Sequence, residues 1–277
     1  MRTCRFRHGV EERWGVVEEA SAHAPARTQE RGPAQGDLLR ADPAGGQIVR
    51  ALTAEPWAGG LPEGRPIRLS EVELLAPVRP SKVVCVGRNY QAHARELGNE
   101  LPPQPLIFLK PSTSIVGPQE AIVCPPQSAD VQHEAELGVV LGRALTRATA
   151  AEAKQAVFGW TCVNDVTARD IQREEKQFTR AKGFDTFCPV GPVVETTLDP
   201  MELTVIGRVN GKERQRGHVR DMKWDPYELL SFISHVMTLL PGDLVSTGTP
   251  EGVGRMDRGD WVEVEIPGIG ILRNPVT

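Results

Sequence analysis

The stretch that organises this chain is His133-Glu134-Ala135-Glu136-Leu137, which is followed by the apolar residues 138–141. The pattern predicts a buried β-strand, in which alternate side chains point to the same face. Glu134 and Glu136 are therefore expected side by side among core residues. Two carboxylates that close together repel each other unless a proton or a cation neutralises them. The pair indicates either a cation site or two unrelated acids on the solvated face of a strand.

The ligand type limits which cation could bind. Oxygen ligands suit magnesium, manganese or calcium better than zinc. A third carboxylate, Asp165, follows the apolar residues 159–163 and would complete a three-oxygen face with positions left open for a substrate. The alternative is that Asp165 caps a helix that begins near Thr167.

The composition excludes several classes of protein. The chain has 277 residues, of which 40% are hydrophobic and 25% charged, and its net charge of −4 provides no basic surface for nucleic acid. No run of about 18 apolar residues is present to span a membrane, and the amino terminus lacks the apolar core of a signal peptide. The five cysteines form no C-x-x-C pair, which favours reduced thiols. We therefore expect a cytoplasmic, enzyme-sized protein that binds neither nucleic acid nor membrane.

Two parts of the chain differ in amino-acid composition. Residues 1–76 combine short apolar stretches with Gly/Pro-rich connectors and a polar segment at residues 20–35, which predicts a small N-terminal domain containing a loop. Residues 77–277 are predicted to form the main domain. Strands outnumber helices there and no regular β-α-β alternation appears, so the predicted fold class is α+β and β-rich.

The main domain contains several separate signals for secondary structure. Apolar runs predict strands at residues 83–87, 106–110, 159–163, 190–194, 203–209, 244–247 and 261–266. Helices are predicted at residues 89–97 with Asn89 as a cap, at 148–158 with Thr149 as a cap, at 167–176 and at 226–240. Asn210-Gly211 predicts a hairpin turn.

Further polar residues are candidates for chemistry. His93 and Glu96 share one helical face, where the carboxylate could orient the imidazole as a general base; a surface pair is the alternative. Lys182 lies beside Gly183 and could bind a carboxylate or an enolate oxygen, or be a solvated lysine. The glycine-rich turn at residues 247–254 could bind a carboxylate through its hydroxyl and N–H groups. This turn is not a P-loop, because the spacing of that motif is missing. No G-x-S-x-G motif is present either, which argues against a Ser-His-Asp hydrolase.

Six motifs in the same order resemble the fumarylacetoacetate hydrolase family, over residues 81–274. The motifs are Val86-Gly87-Arg88-Asn89-Tyr90 with His93 and Glu96, Phe108-Leu109-Lys110-Pro111-Ser112, His133-Glu134-Ala135-Glu136-Leu137, Asn164-Asp165-Val166-Thr167-Ala168-Arg169-Asp170 with Gln172, Lys182-Gly183-Phe184-Asp185, and Thr247-Gly248-Thr249-Pro250. Their order makes the resemblance far more specific than any single motif.

The resemblance implies a fold and a set of site residues. The family fold is a mixed β-sandwich roll and is usually dimeric, so a homodimer is expected, and residues 1–76 are similar to a small N-terminal domain of some members. Glu134, Glu136 and Asp165 match the ligands of magnesium or manganese. The resemblance further implies that His93 and Glu96 form a catalytic dyad on a lid, and that Lys182 contacts the substrate. Four more residues match polar substrate contacts of the family: Arg169, Gln172, Thr249 and Lys110.

The resemblance also implies an activity. The likeness is greatest to the 2-hydroxyhepta-2,4-diene-1,7-dioate isomerases and decarboxylases of aromatic catabolism and to the acylpyruvases, which implies an enolate formed from a small 2-oxo acid. Alternatives are an acylpyruvate (fumarylpyruvate) hydrolase, an oxaloacetate decarboxylase, or a non-catalytic scaffold, although none of the expected site residues is missing. One departure is that the larger hydrolases have a further Asp ligand near Arg88-Asn89-Tyr90, where this chain has no acid.

Overall fold

The computed structural model describes residues 1–19, 46–96, 98, 100–175 and 177–277, so the loop predicted at residues 20–35 lies outside it. The strands are β1 Arg2–His8, β2 Glu11–Glu19, β3 Gln47–Leu52, β4 Pro62–Arg68, β5 Glu73–Leu75, β6 Val83–Gly87, β7 Leu106–Lys110, β8 Ile115–Val116, β9 Val131–His133, β10 Ala135–Leu141, β11 Val157–Asn164, β12 Thr167–Ala168, β13 Cys188–Glu195, β14 Thr204–Val209, β15 Lys212–His218, β16 Leu244–Ser246, β17 Gly254–Arg255, β18 Trp261–Ile266 and β19 Gly270–Pro275. The helices are α1 Gln91–Glu96, α2 Ala150–Ala156, α3 Arg169–Glu174, α4 Thr179–Lys182 and α5 Pro226–Val236.

The strands form three sheets within the described part of the chain. The largest has 12 strands, in the order β4-β3-β2-β1-β13-β11-β10-β16-β6-β7, with β5 paired to β1 and β8 to β13. The two smaller sheets have the orders β12-β9-β17 and β15-β14-β18-β19. Strands therefore dominate and the helices are short, which confirms the β-rich α+β class predicted from the sequence.

Strand β10 lies near the middle of the large sheet, and all its residues are buried. On one face, Leu137, Val139 and Leu141 belong to the main core cluster, together with residues of α2 and α5. On the other face, Val140 packs in a second cluster with Val163 of β11. Burial of both faces explains why the sequence of this strand is almost continuously apolar. It also means that Glu136, on the Val140 face, enters the protein interior.

The N-terminal strands are continuous with the main sheet. Strand β1 pairs with β13 through Arg2 opposite Glu195 and Thr3 opposite Val194. An aromatic contact adds to this connection, since the Trp57 ring packs edge-on against Phe158 with centroids 5.8 Å apart. The boundary predicted between residues 76 and 77 stays a prediction.

Several local signals are confirmed. Thr149 caps α2 in a capping box with Glu152, as its sequence pattern predicts. Asn210 and Gly211 have φ values of 52° and 75° and connect β14 to β15. Both values lie in the left-handed region that a tight hairpin turn requires.

All four predicted helices differ from the structure in their bounds. The helix predicted at residues 148–158 spans only Ala150–Ala156, and residues 157 and 158 belong to β11. Asn89 does not cap α1; its amide instead donates to the carbonyls of Thr247 and Trp224. The helix predicted at residues 167–176 begins only at Arg169, because Thr167 and Ala168 pair with β9, and Lys176 lies outside the described residues. Helix α5 ends at Val236 rather than residue 240. Among the described residues, no helix combines the length and apolar character needed to cross a bilayer.

Asp243 joins the start of the main domain to the turn before β16. Its buried carboxylate accepts hydrogen bonds from Ser81 N at 3.0 Å, Ser81 Oγ at 2.7 Å and Leu240 N at 2.8 Å, and it pairs with Lys82. We expect Asp243→Ala to lower the free energy of unfolding by about 2 kcal/mol, because Ser81, Leu240 and Lys82 lose the buried carboxylate that accepts their hydrogen bonds. Urea unfolding measures this loss. Asp257→Ala, at an exposed position, is the control, and equal effects of the two exchanges would contradict the assignment.

Candidate active site

Three buried carboxylates lie together where the small β9 sheet meets the large sheet. The possible ligand oxygens of Glu134, Glu136 and Asp165 all lie within 4.8 Å of one another. Glu134 occupies the break between β9 and β10, so the single strand expected here is in fact two. The break is held on both sides: Glu134 N donates to Asn164 Oδ1 at 3.0 Å, and Asp165 N donates to Glu134 O at 2.9 Å. Asp165 is therefore a member of the cluster rather than a helix cap.

Three cations face these carboxylates. Lys182 Nζ donates to Glu134 Oε2 at 2.7 Å and to Asp165 Oδ2 at 2.6 Å. Arg169 pairs with the other oxygen of Glu134, and Lys110 Nζ lies 2.8 Å from Asp165 Oδ1. The six side chains are all nearly inaccessible to solvent. Because the cluster is buried, each carboxylate needs a positive partner to stay ionised.

The two glutamates respond differently to this environment. Burial alone raises the pKa of Glu134, but the charges of Lys182 and Arg169 outweigh it and hold the pKa well below its usual range. For Glu136, burial and then repulsion by Asp165 and Glu134 raise the pKa well above its usual range. Glu136 Oε2 receives hydrogen bonds from Ser246 Oγ at 2.5 Å and Gly248 N at 2.8 Å, which do not offset the repulsion. Glu136 is thus the carboxylate that most needs a further positive charge.

The donor set fits a hard divalent ion. All three candidate ligands offer carboxylate oxygens, as magnesium and manganese prefer. Asp165 Oδ1 is buried yet accepts no hydrogen bond, although Lys110 Nζ is close, because that ammonium donates to the carbonyls of Val166, Lys182 and Phe187. A buried carboxylate oxygen without a donor is what a metal ligand requires before the ion binds.

A cavity of about 350 Å³ opens above the carboxylate cluster. The predicted site residues that line it are His93, Glu134, Glu136, Arg169, Gln172, Lys182 and Thr249. Glu96, Asp165 and Lys110 are not part of the lining but contact residues that are, namely His93 for Glu96 and Lys182 for the other two. The ammonium of Lys110 is surrounded by backbone carbonyls. The ammonium of Lys110 therefore faces the protein interior rather than the cavity.

His93 and Glu96 form the pair that the sequence predicts. His93 Nδ1 lies 3.2 Å from Glu96 Oε2, and Glu96 Oε1 accepts a hydrogen bond from Gly252 N at 3.0 Å. Glu96 therefore connects α1 to the glycine-rich turn. Burial lowers the pKa of His93 below its ordinary value, although Glu134 and Glu96 act in the opposite direction. A neutral imidazole that donates from Nδ1 to Glu96 leaves Nε2 as a base.

Gln215 on β15 is a supporting residue that the sequence does not reveal. Its Oε1 accepts from Ala135 N at 3.0 Å and lies 2.8 Å from His133 Nδ1. Its Nε2 donates to Thr249 Oγ1 at 2.7 Å, and Thr249 Oγ1 in turn donates to Ala135 O at 2.9 Å. The peptide groups on both sides of Ala135, which separate Glu134 from Glu136, are thus held by Gln215 and Thr249. Nothing in a polar strand of alternating charges marks Gln215 as buried.

The comparisons with known proteins agree with this geometry. Residues 82–277 match the model of the fumarylacetoacetate (FAA) hydrolase C-terminal family, and residues 1–77 match an Rv2993c-like N-terminal model. The chain is 44% identical over 220 residues to human mitochondrial oxaloacetate tautomerase FAHD2A, covering 75% of this chain and 70% of that protein.

Two solved structures extend the comparison. The 2-hydroxyhepta-2,4-diene-1,7-dioate isomerase of Mycobacterium marinum is 40% identical to this chain and superposes with a TM-score of 0.86. The match covers 100% of this chain and 98% of that protein's chain. The fumarylpyruvate hydrolase of Pseudomonas aeruginosa, solved with Mn²⁺ and pyruvate, is 35% identical to this chain and superposes with a TM-score of 0.68. The match covers 73% of this chain and 91% of that protein's chain.

A β-rich scaffold with a buried carboxylate triad beneath a cavity is an arrangement typical of an enzyme that acts on a small molecule. This chain belongs to the fumarylacetoacetate hydrolase family. The family and fold expected from the six ordered motifs are confirmed, and the family includes isomerases, hydrolases and an oxaloacetate tautomerase.

Glu136→Gln tests the charge balance of the cluster. The exchange keeps the shape of the side chain and removes one of the mutually repelling charges, so we expect the metal-free protein to gain about 1 kcal/mol in unfolding free energy. The same exchange should abolish most of the stabilisation by Mn²⁺. Thermal unfolding in EDTA and in Mn²⁺ measures both effects, with the exposed Glu251→Gln as the control. A metal-free variant less stable than the wild type, with full stabilisation by Mn²⁺, would contradict the assignment.

Gln215→Leu tests the support of the Ala135 peptide groups. Since supporting hydrogen bonds orient metal ligands, we expect the affinity for Mn²⁺ to fall roughly 10- to 100-fold. Calorimetric titration of the folded variant measures this change, and Gln104→Leu, at an exposed position, is the control. Gln215→Glu keeps an acceptor for Ala135 N and should recover part of the affinity. Wild-type affinity in Gln215→Leu would show that the metal ligands do not depend on Gln215.

Proposed function

We propose that this protein is a divalent-metal-dependent enzyme that acts on 2-oxo, 2,4-dioxo or 2-hydroxy-dienoic dicarboxylic acids through an enolate. The specific proposal is an isomerase or decarboxylase of the 2-hydroxyhepta-2,4-diene-1,7-dioate type. The observation that supports it is that one cavity is lined both by the candidate metal ligands Glu134 and Glu136 and by the candidate base His93.

The carboxylate cluster provides the site for charge stabilisation. Magnesium or manganese bound by Glu134, Glu136 and Asp165 would supply Lewis-acid stabilisation of negative charge on the 2-oxo oxygen. Lys182 adds a fixed positive charge beside that position. Two of its three N–H groups are directed to Glu134 and Asp165, which leaves one for a substrate oxygen.

His93 is proposed to move the proton. With Nδ1–H donated to Glu96, the Nε2 atom accepts the proton of the 2-hydroxyl group of a 2-hydroxy-2,4-dienoic acid, which gives the dienolate, and returns it to a carbon of that dienolate, which gives the 2-oxo acid. Isomerisation then gains and loses no atoms, because the proton removed at one position is restored at another. A pKa lowered by burial keeps His93 unprotonated near neutral pH, as a base must be.

The remaining predicted residues are proposed to bind the substrate or to support the site. Gln172 and Thr249 line the cavity, and Gln172 Oε1 accepts from Arg169, which turns the Gln172 amide N–H groups outward as donors. Arg169 itself is held by Glu134 and Gln132. For Lys110 we propose a supporting role at Asp165 in place of the substrate contact expected from the sequence, because its three N–H groups are directed to carbonyl oxygens.

Other reactions can use the same enolate site. The similarity to fumarylpyruvate hydrolase supports hydrolysis of an acylpyruvate as an alternative, in which His93 would activate water. The similarity to oxaloacetate tautomerase supports oxaloacetate as a substrate, whether its enol and keto forms are interconverted or it is decarboxylated. We favour a proton-shift isomerisation over hydrolysis and decarboxylation because it requires only a base, and His93 in the described lining of the cavity can be that base. The homodimer and the cytoplasmic location stay predictions.

A direct assay tests the proposal. The purified protein with Mg²⁺ or Mn²⁺ should turn over 2-hydroxyhepta-2,4-diene-1,7-dioate faster than acetylpyruvate, fumarylpyruvate or oxaloacetate, and EDTA should abolish turnover. We expect His93→Asn to reduce kcat roughly 100- to 10,000-fold with unchanged Mn²⁺ affinity, since it removes the base and no metal ligand. Loss of Mn²⁺ binding in that variant would reassign His93. Absence of turnover of all four acids by the metal-loaded protein would refute the proposed function.

A further inference from the structure

The cavity above the carboxylate cluster has two chemically different parts. The floor of the cavity is formed by the charged side chains described above. Its wall includes Val86, Phe108 and Phe178, and the two phenyl rings pack edge to face with centroids 5.4 Å apart. An apolar wall beside a charged floor suits a ligand with a carbon chain that extends away from its charged end.

Arg88 also lines this cavity, and it differs from the other two arginines there. Arg169 contacts Glu134, Gln132 and Gln172, and Arg173 pairs with Asp130 at 3.2 Å. Within residues 1–19, 46–96, 98, 100–175 and 177–277, the guanidinium of Arg88 forms no hydrogen bond and no ion pair. Arg88 is thus a cavity cation whose charge is not compensated by the described residues.

The backbone of Arg88 is held in a conformation that few side chains adopt. Its φ is +57°, in the left-handed region that disfavours residues other than glycine and asparagine. On one side, Gly87 pairs with Leu106 in the sheet. On the other, the Asn89 side chain donates to Thr247 O at 2.8 Å and Trp224 O at 3.0 Å, and accepts from Trp224 N at 3.1 Å. A strained residue held rigidly at a cavity is often a functional one.

We propose that Arg88 selects dicarboxylic acids by binding the carboxylate at the far end of a substrate whose 2-oxo acid end lies at Glu134, Glu136 and Asp165. The guanidinium is planar, permanently charged and able to donate two parallel hydrogen bonds to a carboxylate. Arg88 is thus a specificity residue for anionic chain ends. This inference rests on the proposed function and adds the feature that distinguishes a dicarboxylate from pyruvate-like acids.

Binding of two ligand classes tests the inference without relying on turnover. The probes are pyruvate, which has no second carboxylate, and the longer 2-oxo dicarboxylates 2-oxoglutarate and 2-oxoadipate. Calorimetric titration of the Mn²⁺-loaded protein gives the Kd of each. We expect the wild-type protein to bind at least one of these dicarboxylates more tightly than pyruvate.

Variants of Arg88 identify the residue responsible. Asparagine tolerates the left-handed backbone, so Arg88→Asn removes the cation with little added strain. We expect this variant to weaken binding of the preferred dicarboxylate roughly 10- to 100-fold, the usual loss for a charged hydrogen-bond partner, and to leave pyruvate binding unchanged. Arg88→Lys should recover part of the lost affinity. Arg95→Asn, on the exposed surface of α1, removes the same charge and should leave both affinities unchanged.

Three results would overturn the inference. They are a wild-type protein that does not prefer any of the dicarboxylates, an Arg88→Asn variant that weakens pyruvate and dicarboxylate equally or neither, and a loss of preference in Arg173→Asn instead. Turnover is judged separately. A protein that binds dicarboxylates through Arg88 but converts no 2-oxo acid would refute the proposed function and retain the inference about specificity.

Discussion

The structure depends on the balance of charge in one buried cluster. Glu134, Glu136 and Asp165 face Lys182, Lys110 and Arg169 in a region that is nearly inaccessible to water, where an uncompensated ion costs several kcal/mol. With all six ionised the charges cancel, so a divalent ion would leave the site positive. A 2-oxo acid in its enolate form carries negative charge on both its carboxylate and its oxygen, and is therefore a complementary ligand.

The fold holds this cluster together through elements distant in the chain. Strand β10 is paired on both sides, to β11 and β16, which brings Ser246 and Gly248 to Glu136. Gln215 arrives from the separate β14–β15 sheet and holds the peptide groups of Ala135. Helix α1 is connected to the glycine-rich turn at residues 247–254 by the hydrogen bond from Gly252 N to Glu96. The three carboxylates, His93 and the cavity wall are consequently all positioned by strands or by turns bonded to them.

The local signals of the sequence predicted local structure well. Thr149 and the Asn210-Gly211 turn depend on contacts within a few residues, and both occur as expected. Predictions that ignored distant contacts were wrong. The Asn89 side chain donates hydrogen bonds to the carbonyls of Thr247 and Trp224 instead of capping a helix. Thr167 pairs with β9 instead of beginning a helix. The expected metal ligands converge in the structure, and so do His93 and Glu96. Lys110 was expected in the pocket but faces the interior. The sequence could not predict this, because a lysine in an apolar strand gives no sign of where its ammonium lies.

The sequence by itself determined the family, the identity of the three carboxylates and the spacing that brings Glu134 next to Glu136, because ordered motifs and strand periodicity are properties of the chain alone. Only the tertiary structure decided which cations neutralise the carboxylates, that Gln215 supports the peptide groups between Glu134 and Glu136, and that Arg88 lines the cavity without a partner among the described residues. These features depend on distances between residues up to 158 positions apart, such as Asn89 and Thr247. Burial then gives each charge its energetic weight, since electrostatic interactions are strong only where water is excluded.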